Sequence, residues 1–271
     1  MELLNRKPKE LLIEFVNSYR TTQNISIEKA NLDIKNLIKY YGGDTEKRNR
    51  LIDLVNMENQ WYNGLKNGEI DYSVYNDDYY FCDLWACWTI YSRKYLKGII
   101  KNNSLDKENS IMSLFKDVNS VIDLGCGIGY TTASLKEIFQ QANVYGTNLE
   151  GTKQWDFCKL MAEKYNFKLI PESNSLKNID LIFASEYFEH ILDPIKHLNE
   201  IIETLNPKYF IIANAFNTRS VGHFLEYKNN EDIIPQDKIS KLFNETLYNK
   251  GYKKVKTKLW NNRPTIYIKD I

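Results

Sequence analysis

The spacing of apolar residues divides the chain into two parts. In the first part, apolar side chains recur every three or four positions, for example over residues 11–19 and 27–41, and this spacing predicts amphipathic helices. In the second part, short apolar runs alternate with amphipathic stretches, which predicts strands alternating with helices. Such alternation is typical of an α/β fold. We therefore expect a helical N-terminal extension over residues 1–116 and an α/β core over residues 117–271.

The second part predicts seven strands and four helices. The expected strands are residues 119–124, 143–148, 167–170, 179–184, 208–214, 252–260 and 264–269. The expected helices are residues 130–141, 152–165, 194–206 and 236–249. No helix separates the last two strands, and Asn261-Asn262 predicts a tight turn, so these strands should pair antiparallel. The predicted architecture is a mostly parallel seven-stranded sheet with helices on both faces.

Glycine, asparagine and aromatic residues mark further features of the first part. Gly42-Gly43 is expected to end one helix, and Asp44 to cap the next. Asn63-Gly64 and Asn67-Gly68 predict turns. A dense set of tyrosines and tryptophans over residues 71–95 includes a strongly apolar helix. Because these side chains combine a flat apolar ring with a polar tip, they fit three roles: a pocket that stacks a flat ligand, a surface that stacks nucleic-acid bases, or an ordinary helix that packs its rings against the sheet.

Composition and charge limit the kind of protein. A length of 271 residues with 43% hydrophobic and 13% aromatic residues favours a folded chain with a sizeable core. The 36 basic and 35 acidic side chains nearly cancel, which argues weakly against tight nonspecific binding to nucleic acid. No stretch approaches the roughly 20 apolar residues that a membrane span needs. Charged residues precede any apolar run at the start, so we expect no signal peptide and a soluble, cytoplasmic protein.

Cysteine spacing and a basic C-terminal stretch suggest less specific features. The four cysteines form no C-x-x-C pair, so we predict neither a zinc site nor disulfides, and interpret them as small packing residues: Cys82, Cys87, Cys126 and Cys158. The last 31 residues carry eight basic and two acidic side chains. Seven of these eight cations form either a strip that faces phosphates or the solvated face of an edge strand: Lys250, Lys253, Lys254, Lys256, Lys258, Arg263 and Lys269.

The most specific stretch is the glycine-rich turn within residues 121–130, Val-Ile-Asp-Leu-Gly-Cys-Gly-Ile-Gly-Tyr. Glycines let the backbone approach a ligand closely, and the helix that follows offers free N–H groups. The dinucleotide motif G-x-G-x-x-G is not matched, because Tyr130 stands where its third glycine would be, and a P-loop lysine is missing. Asp123 would repel a pyrophosphate but suits a cationic ligand or one with an amino group.

This turn resembles the D-x-G-x-G-x-G motif of the class I S-adenosylmethionine-dependent methyltransferases, matched by Asp123, Gly125, Gly127 and Gly129. The resemblance extends over about residues 118–269 in strand and helix order. It implies a Rossmann-like fold with S-adenosylmethionine as cofactor and S-adenosylhomocysteine as product. A further implication of the resemblance is that the helical extension over residues 1–116 forms a lid over the acceptor pocket. It also implies that the turn residues hold the aminoacyl-sulfonium part of the cofactor: Asp123, Gly125, Cys126, Gly127, Gly129 and Tyr130.

The resemblance implies two further groups of cofactor contacts. In the family, an acidic residue after the second strand accepts hydrogen bonds from the ribose; here Asn148 stands in its place, followed by Leu149 and Glu150, and Glu150 is the alternative. Near the adenine, the residue is Glu172 or one of the pair Ser173 and Asn174. Ser185 is expected to contact the cofactor from the end of the fourth strand.

Residues 179–194 look like the fourth motif of this family and the loop that follows it. Because ligands bind at the carboxyl ends of parallel strands, His190 should lie near the transferable methyl, as a general base or as a fixed polar contact. Glu186 and His223 are the other catalytic candidates. Three residues of the aromatic segment could also reach the cofactor or acceptor: Tyr91, Arg93 and Tyr95.

A metal-dependent alternative comes from the small-RNA 2′-O-methyltransferases, which resemble this chain in an E-x-x-E-H stretch and a later H-x-F-E-W stretch. Here the corresponding residues would be Glu186, Glu189, His190 and His223, which could hold a divalent metal. The E-x-x-E-H stretch also occurs in small-molecule O-methyltransferases, so we commit to no metal site. The prolines of DNA amino-methyltransferases and a Pro-Cys nucleophile are missing.

The sequence therefore predicts a methyltransferase that acts on an oxygen or nitrogen atom of a small molecule. The balanced charge favours this acceptor class. The alternatives are a nucleic-acid methyltransferase acting on RNA or DNA, including a metal-assisted 2′-O type, and a non-catalytic cofactor-binding partner protein. The sequence determines no oligomeric state.

Overall fold

In the computed structural model, the described residues are 2–26, 28–29, 47–77, 80, 84 and 87–270. The predicted helix over residues 27–41 and its flanking glycines fall almost entirely outside them, as does the expected cap at Asp44. Cys82 and Trp85 also lie outside the described residues.

The first part of the chain is helical, as its apolar spacing predicts. Its α-helices are α1 (Glu2–Asn5), α2 (Pro8–Gln23), α3 (Lys47–Lys66) and α4 (Arg93–Ile100). Short 3-10 helices occur at Tyr72–Asn76 and Ile111–Phe115, and a π-helical turn at Cys87–Ser92 leads into α4.

The predicted turn at Asn63-Gly64 is wrong, because α3 continues through it to Lys66. A glycine inside a helix costs about 1 kcal/mol relative to alanine. Trp61 and Tyr62, one turn earlier, are 4% and 3% exposed and anchor the helix in the core, which outweighs this local preference. The turn at Asn67-Gly68 is confirmed, and Gly68 adopts a left-handed φ of 79° there.

The second part forms the predicted seven-stranded, mostly parallel sheet. Its strands are β1 (Ser120–Leu124), β2 (Asn143–Thr147), β3 (Lys168–Ile170), β4 (Leu181–Ser185), β5 (Tyr209–Ala213), β8 (Tyr252–Val255) and β9 (Thr265–Lys269). The strand order is β3-β2-β1-β4-β5-β9-β8, in which β9 runs antiparallel to both of its neighbours. The helices are α5 (Tyr130–Ile138), α6 (Lys153–Tyr165), α7 (Pro194–Leu205) and α8 (Gln236–Asn249).

Two details differ from the sequence expectations. The predicted strand at 252–260 ends at Val255, and the connection to β9 runs through a short 3-10 turn at Trp260–Asn262. A hairpin of β6 (Glu226–Asn229) and β7 (Asp232–Pro235) was not predicted. Its eight residues are mostly exposed, so they carry little of the apolar alternation that identifies a strand.

Alternate residues of each central strand face two separate hydrophobic clusters. Val121 and Leu181 pack with α1, α2, α5 and α6, whereas Ile122 and Ile182 pack with α3, α7 and α8. Helices thus cover both faces of the sheet, and helices of the N-terminal part contribute to each cluster. The boundary between an extension and a core at residue 117 stays a prediction.

A half-buried carboxylate ties the N-terminal helices to the helix after the glycine turn. Glu14 of α2 accepts hydrogen bonds from Tyr165 (2.7 Å) and Tyr130 (3.5 Å), and its other oxygen is paired with Arg6 (2.5 Å) and Lys164 (2.9 Å). Burial raises the pKa of Glu14, but these hydrogen bonds outweigh burial and hold the pKa below its usual value. Glu14 is therefore ionised at neutral pH and fixes the start of α5.

Among the described helices, none combines the length and the apolar character that crossing a membrane requires.

Candidate functional site

The glycine-rich turn joins the end of β1 to the start of α5. Gly125, Gly127 and Gly129 have φ values of 65°, 54° and 84°, in the left-handed region that other residues rarely adopt. The amide of Gly129 donates to the Cys126 carbonyl (2.9 Å), which closes the turn. None of the described side chains caps the start of α5 at Gly129. The turn therefore presents backbone rather than side chains to a ligand.

Asp123 supports this turn from the interior of the protein. It is 2% exposed, and its carboxylate accepts a hydrogen bond from the Thr132 hydroxyl (2.7 Å) in the first turn of α5. Burial raises the pKa of Asp123 to about 7, although the bond from Thr132 opposes the rise.

This raised pKa makes a prediction about stability. The folded protein keeps the Asp123 proton up to about pH 7, whereas the unfolded chain releases it near pH 3.8. The free energy of unfolding should therefore fall between pH 4 and pH 7, by up to about 4 kcal/mol. Asp123→Asn has no carboxyl group that titrates at this position, so its free energy of unfolding should not show this decrease. Urea unfolding of both proteins from pH 5 to pH 8 measures the difference. If the free energies of unfolding of the two proteins change with pH in parallel, the raised pKa of Asp123 is contradicted.

Asn148 holds the glycine turn instead of facing open space. Its amide nitrogen donates to the Gly127 carbonyl (2.5 Å), and its amide oxygen accepts from the Leu149 backbone (2.8 Å). A carboxylate at this position would repel the Gly127 carbonyl, which gives a physical reason for asparagine where the family has an acid. Leu149 is 50% exposed and Glu150 is also exposed, so Glu150 is the available carboxylate beside the turn.

The expected adenine contacts lie in a 3-10 turn at Ser173–Ser175, after β3. Asn174 donates to the Glu172 carboxylate (2.5 Å), and both side chains are exposed. Ser173 is half-buried.

A cavity of about 740 Å³ lies beside the glycine turn. The predicted site residues that line it are Gly125, Cys126, Gly127, Tyr130, Ser185, Glu186, His190 and His223. Those that do not line it are Asp123, Gly129, Asn148, Leu149, Glu150, Ser173, Asn174 and Glu189. The structure thus brings the turn together with the three catalytic candidates, whereas the expected ribose and adenine contacts lie outside this cavity.

The aromatic segment forms one wall of the cavity. Its aromatic lining residues are Tyr80, Trp88, Tyr91 and Tyr95, and Ser92 of the same segment donates to Ser185 (3.2 Å). Arg93 points elsewhere: its guanidinium bonds the carbonyls of Leu4 and Arg6, so the expectation that it reaches the ligand is wrong.

An ion pair between Glu186 and Arg263 also lines the cavity. Glu186, directly after β4, accepts from the Arg263 guanidinium (2.6 Å), and Arg263 also donates to the Tyr95 hydroxyl (2.7 Å). Glu186 has a left-handed φ of 52°, an unusual conformation for a residue other than glycine. Burial raises the pKa of Glu186, and the charge of Arg263 opposes the rise.

Glu189 is a buried acid behind this pair. One of its oxygens accepts from the Ala215 amide (2.7 Å), and the other is buried with no hydrogen-bond partner among the described residues. Burial, and after it the charge of Glu186, raise the pKa of Glu189 well above its usual value.

His190 and His223 meet edge to face in the cavity, with ring centroids 4.7 Å apart. The Nδ1 atom of His223 lies 2.7 Å from the Thr218 carbonyl, which can only accept, so Nδ1 carries the proton. Burial lowers the pKa of His223, so its ring is neutral and Nε2 keeps a lone pair. The Tyr75 hydroxyl lies 3.1 Å from His190 Nδ1, and burial, followed by His223, lowers the pKa of His190 to about 3.

The described residues contain no group of three or more histidine, cysteine, aspartate or glutamate side chains placed to hold a metal ion. Glu186, Glu189, His190 and His223 are instead engaged with Arg263, the Ala215 amide, Tyr75 and the Thr218 carbonyl, respectively. Sequence reasoning missed Tyr75 as a partner of the site, and it counted Arg263 only as part of the basic C-terminal stretch. Of the remaining cations of that stretch, Lys253 and Lys254 lie on β8, the last strand of the sheet, and fit the edge-strand alternative.

Comparison with known proteins identifies a family and several similar folds. Residues 92–249 match the family profile described as "Methyltransferase domain". An O-methyltransferase family protein from Burkholderia thailandensis is 10% identical with a TM-score of 0.46, over 73% of this chain and 59% of that one. The O-methyltransferase of a trans-AT PKS multienzyme from Brevibacillus brevis, solved with S-adenosyl-L-homocysteine, is 18% identical with a TM-score of 0.41, over 64% and 57%.

A third structure, the N-terminal domain of EvdMO1 solved with SAH, is 12% identical with a TM-score of 0.33, over 45% of this chain and 62% of that one. The match thus spans less than two thirds of the length of each of these three solved proteins. No curated protein matches the chain.

The matched residues 92–249 are more than half of the chain. They contain the first five strands of the sheet and the glycine turn with its left-handed glycines. The chain therefore belongs to the methyltransferase domain family.

Proposed function

We propose that this chain transfers a methyl group to an oxygen or nitrogen atom of a small-molecule acceptor bound in the 740 Å³ cavity. The observation that carries the proposal is that one cavity joins the glycine turn to the two histidines, so that a donor on the turn and an acceptor at His223 share one space. Pockets for small molecules typically measure about 300–1,000 Å³, and this cavity lies within that range.

The donor half of the site is the glycine turn. The left-handed glycines and the uncapped start of α5 fit the aminoacyl end of S-adenosylmethionine, because they offer bare backbone and N–H groups. Asp123 and Asn148 fix the turn from behind, and Glu150 is the residue for the ribose hydroxyls. Ser173 and Asn174 stay predicted contacts of the adenine, and Ser185 stays a predicted contact of the end of the cofactor that carries the methyl group. The cofactor supplies a methyl group on a positively charged sulfur, ready for in-line displacement.

The acceptor half is built around His223. Its Nε2 lone pair can take the proton of an acceptor hydroxyl as the acceptor oxygen bonds to the methyl carbon. The carbon–sulfur bond breaks in the same step, and its electron pair remains on the sulfur of the thioether product. His190, placed edge to face against His223, limits where the acceptor can lie. The tyrosine and tryptophan rings that line the cavity exclude water, which favours a displacement at carbon.

Side chains of the N-terminal part bond to the acceptor half of the site, and these contacts support the proposal that this part forms a lid. Trp61 of α3 donates to the His223 carbonyl (2.6 Å), and the Tyr62 hydroxyl bonds the Ser220 backbone (3.2 Å to the carbonyl). Tyr75 bonds His190. These contacts fix the loop that carries His223 and the ring of His190, so the helical part completes the acceptor site.

Two experiments test the proposal in sequence. Calorimetry should show S-adenosylhomocysteine binding at one site per chain. Donor labelled in the methyl group should then label a hydroxyl or amino compound from a panel of small acceptors, with a rate that changes little with salt. Labelling of RNA or DNA alone, with binding that falls steeply as salt rises, would establish the nucleic-acid alternative instead. Binding of the product without transfer to any acceptor would contradict the proposed role.

A further inference from the structure

Arg263 enters the cavity from the connection between β8 and β9. Its Nη2 atom donates to Glu186 (2.6 Å), and its Nε atom donates to the Tyr95 hydroxyl (2.7 Å). The guanidinium carbon lies 5.7 Å from the centroid of the Tyr95 ring. The side chain remains 35% exposed and lines the cavity. Arg263 is therefore held in one orientation but is still accessible to a ligand.

The guanidinium keeps donors that the protein does not use. A guanidinium has five N–H donors in a planar fork, and the bonds to Glu186 and Tyr95 use two of them. Within the described part of the chain, the Nη1 atom of Arg263 has no hydrogen-bond partner. Two parallel donors on a fixed plane match the two oxygens of a carboxylate or phosphate.

The charge of the cavity also favours an anion. The charged residues that line it are Lys94, Glu186 and Arg263, two cations against one acid, and both histidines are neutral because burial lowers their pKa. Glu189, next to Glu186, does not line the cavity, and burial raises its pKa well above its usual value. An anionic group near Arg263 would therefore meet a net positive wall.

We propose that Arg263 binds an oxyanion of the acceptor, a carboxylate or a phosphate, so that the acceptor class is an anionic hydroxy or amino compound. This inference rests on the proposed function, because it places the anion in the acceptor half of the same cavity. Glu186 orients the guanidinium, and the aromatic wall accommodates the flat part of the acceptor. Arg263 is thus a specificity-determining residue that the reaction chemistry alone does not require.

The test uses anions of known structure on the full-length chain saturated with S-adenosylhomocysteine. Calorimetry compares benzoate, phenyl phosphate and the uncharged benzamide. We expect the protein to bind one or both anions at least tenfold more tightly than benzamide. The better of the two anions tells whether the acceptor carries a carboxylate or a phosphate. Equal affinity for all three probes, or binding of none of them, would overturn the inference.

Three variants separate a binding role from a structural one. Arg263→Gln should reduce anion affinity at least tenfold, and Arg263→Lys, which keeps the charge without the fork, should lie between it and the original protein. Lys250→Gln is the matched control, because it removes a cation of the same C-terminal stretch that pairs with Glu203 (3.0 Å) outside the cavity. It should leave anion affinity unchanged.

The outcome for the cofactor separates this inference from the proposed function. S-adenosylhomocysteine should bind the original protein and all three variants with affinities within about twofold, which also shows that the variants are folded. If the original protein fails to bind S-adenosylhomocysteine, the proposed function fails. If S-adenosylhomocysteine binds and Arg263→Gln keeps the anion affinity of the original protein, only the role of Arg263 is refuted. Should Arg263→Gln not fold, the comparison with Arg263→Lys decides, because equal anion affinity there would exclude recognition by the fork.

Discussion

Gly127→Ala should reduce the affinity for S-adenosylhomocysteine at least thirtyfold, about 2 kcal/mol. A β-carbon at Gly127 would lie 3.4 Å from the Leu84 side chain, an ordinary contact, so the protein itself has room for it. Gly127 and Leu84 both line the cavity, however, so the added methyl group would occupy space beside the backbone that the cofactor approaches. The loss should therefore appear in ligand binding, measured by calorimetry.

Gly251→Ala is the matched control for this experiment. Gly251 has a left-handed φ of 85°, and a β-carbon there would meet nothing within 4 Å. Both substitutions should cost about 1–2 kcal/mol of stability, because both force alanine into the left-handed region. Only Gly127→Ala should also lose ligand affinity. If the two variants bind S-adenosylhomocysteine equally well, the glycine turn does not form the donor site.

His223→Asn should lower the turnover number by about a hundredfold to ten-thousandfold, the usual contribution of a general base. The asparagine amide N–H can replace Nδ1 in the bond to the Thr218 carbonyl, but no group replaces Nε2. Folding and S-adenosylhomocysteine affinity should therefore stay close to those of the original protein. The measurement is the initial rate of methyl transfer at saturating donor and acceptor.

The pH dependence and the third histidine provide independent controls. Because burial lowers the pKa of His223, the original protein should lose activity only below about pH 6.5, the usual pKa of histidine, and keep a plateau above it. His223→Asn should lose this plateau, and its rate should rise with pH as the acceptor itself ionises. His197→Gln alters a histidine that bonds Tyr187 (2.9 Å) outside the cavity and should change the rate little. An unchanged rate in His223→Asn would assign the base role to another group, with His190 the next to test.

The donor side of the site could be predicted from sequence because its signal is local. Three glycines at every second position after a buried strand predict a tight turn that leads into a helix, and the structure has that turn, with all three glycines left-handed. The position of Asn148 could also be read from the sequence, but its role could not. Only the fold brings its amide to the Gly127 carbonyl, 21 residues away along the chain. A departure that suggested a weakened ribose contact is, in the structure, a support for the turn.

On the acceptor side, the sequence identified candidate residues, but only the tertiary structure showed how they contact one another. His190 and His223 were both candidates, but their edge-to-face contact joins two separate loops, and Tyr75 is brought to His190 across 115 residues. No local pattern distinguishes such a tyrosine from the many others in the aromatic segment.

The sequence by itself determined the α/β class, most of the strands and helices and the glycine turn after β1, because burial patterns and closely spaced glycines act within a few residues. Only the tertiary structure decided which charged residues face the cavity. Arg263 precedes β9, and Glu186 follows β4. Because β9 lies next to β5, and β5 next to β4, these residues meet at the carboxyl end of β4 although they are 77 positions apart in the chain. Strand order depends on packing over the whole domain, and for that reason no stretch of the sequence contained it.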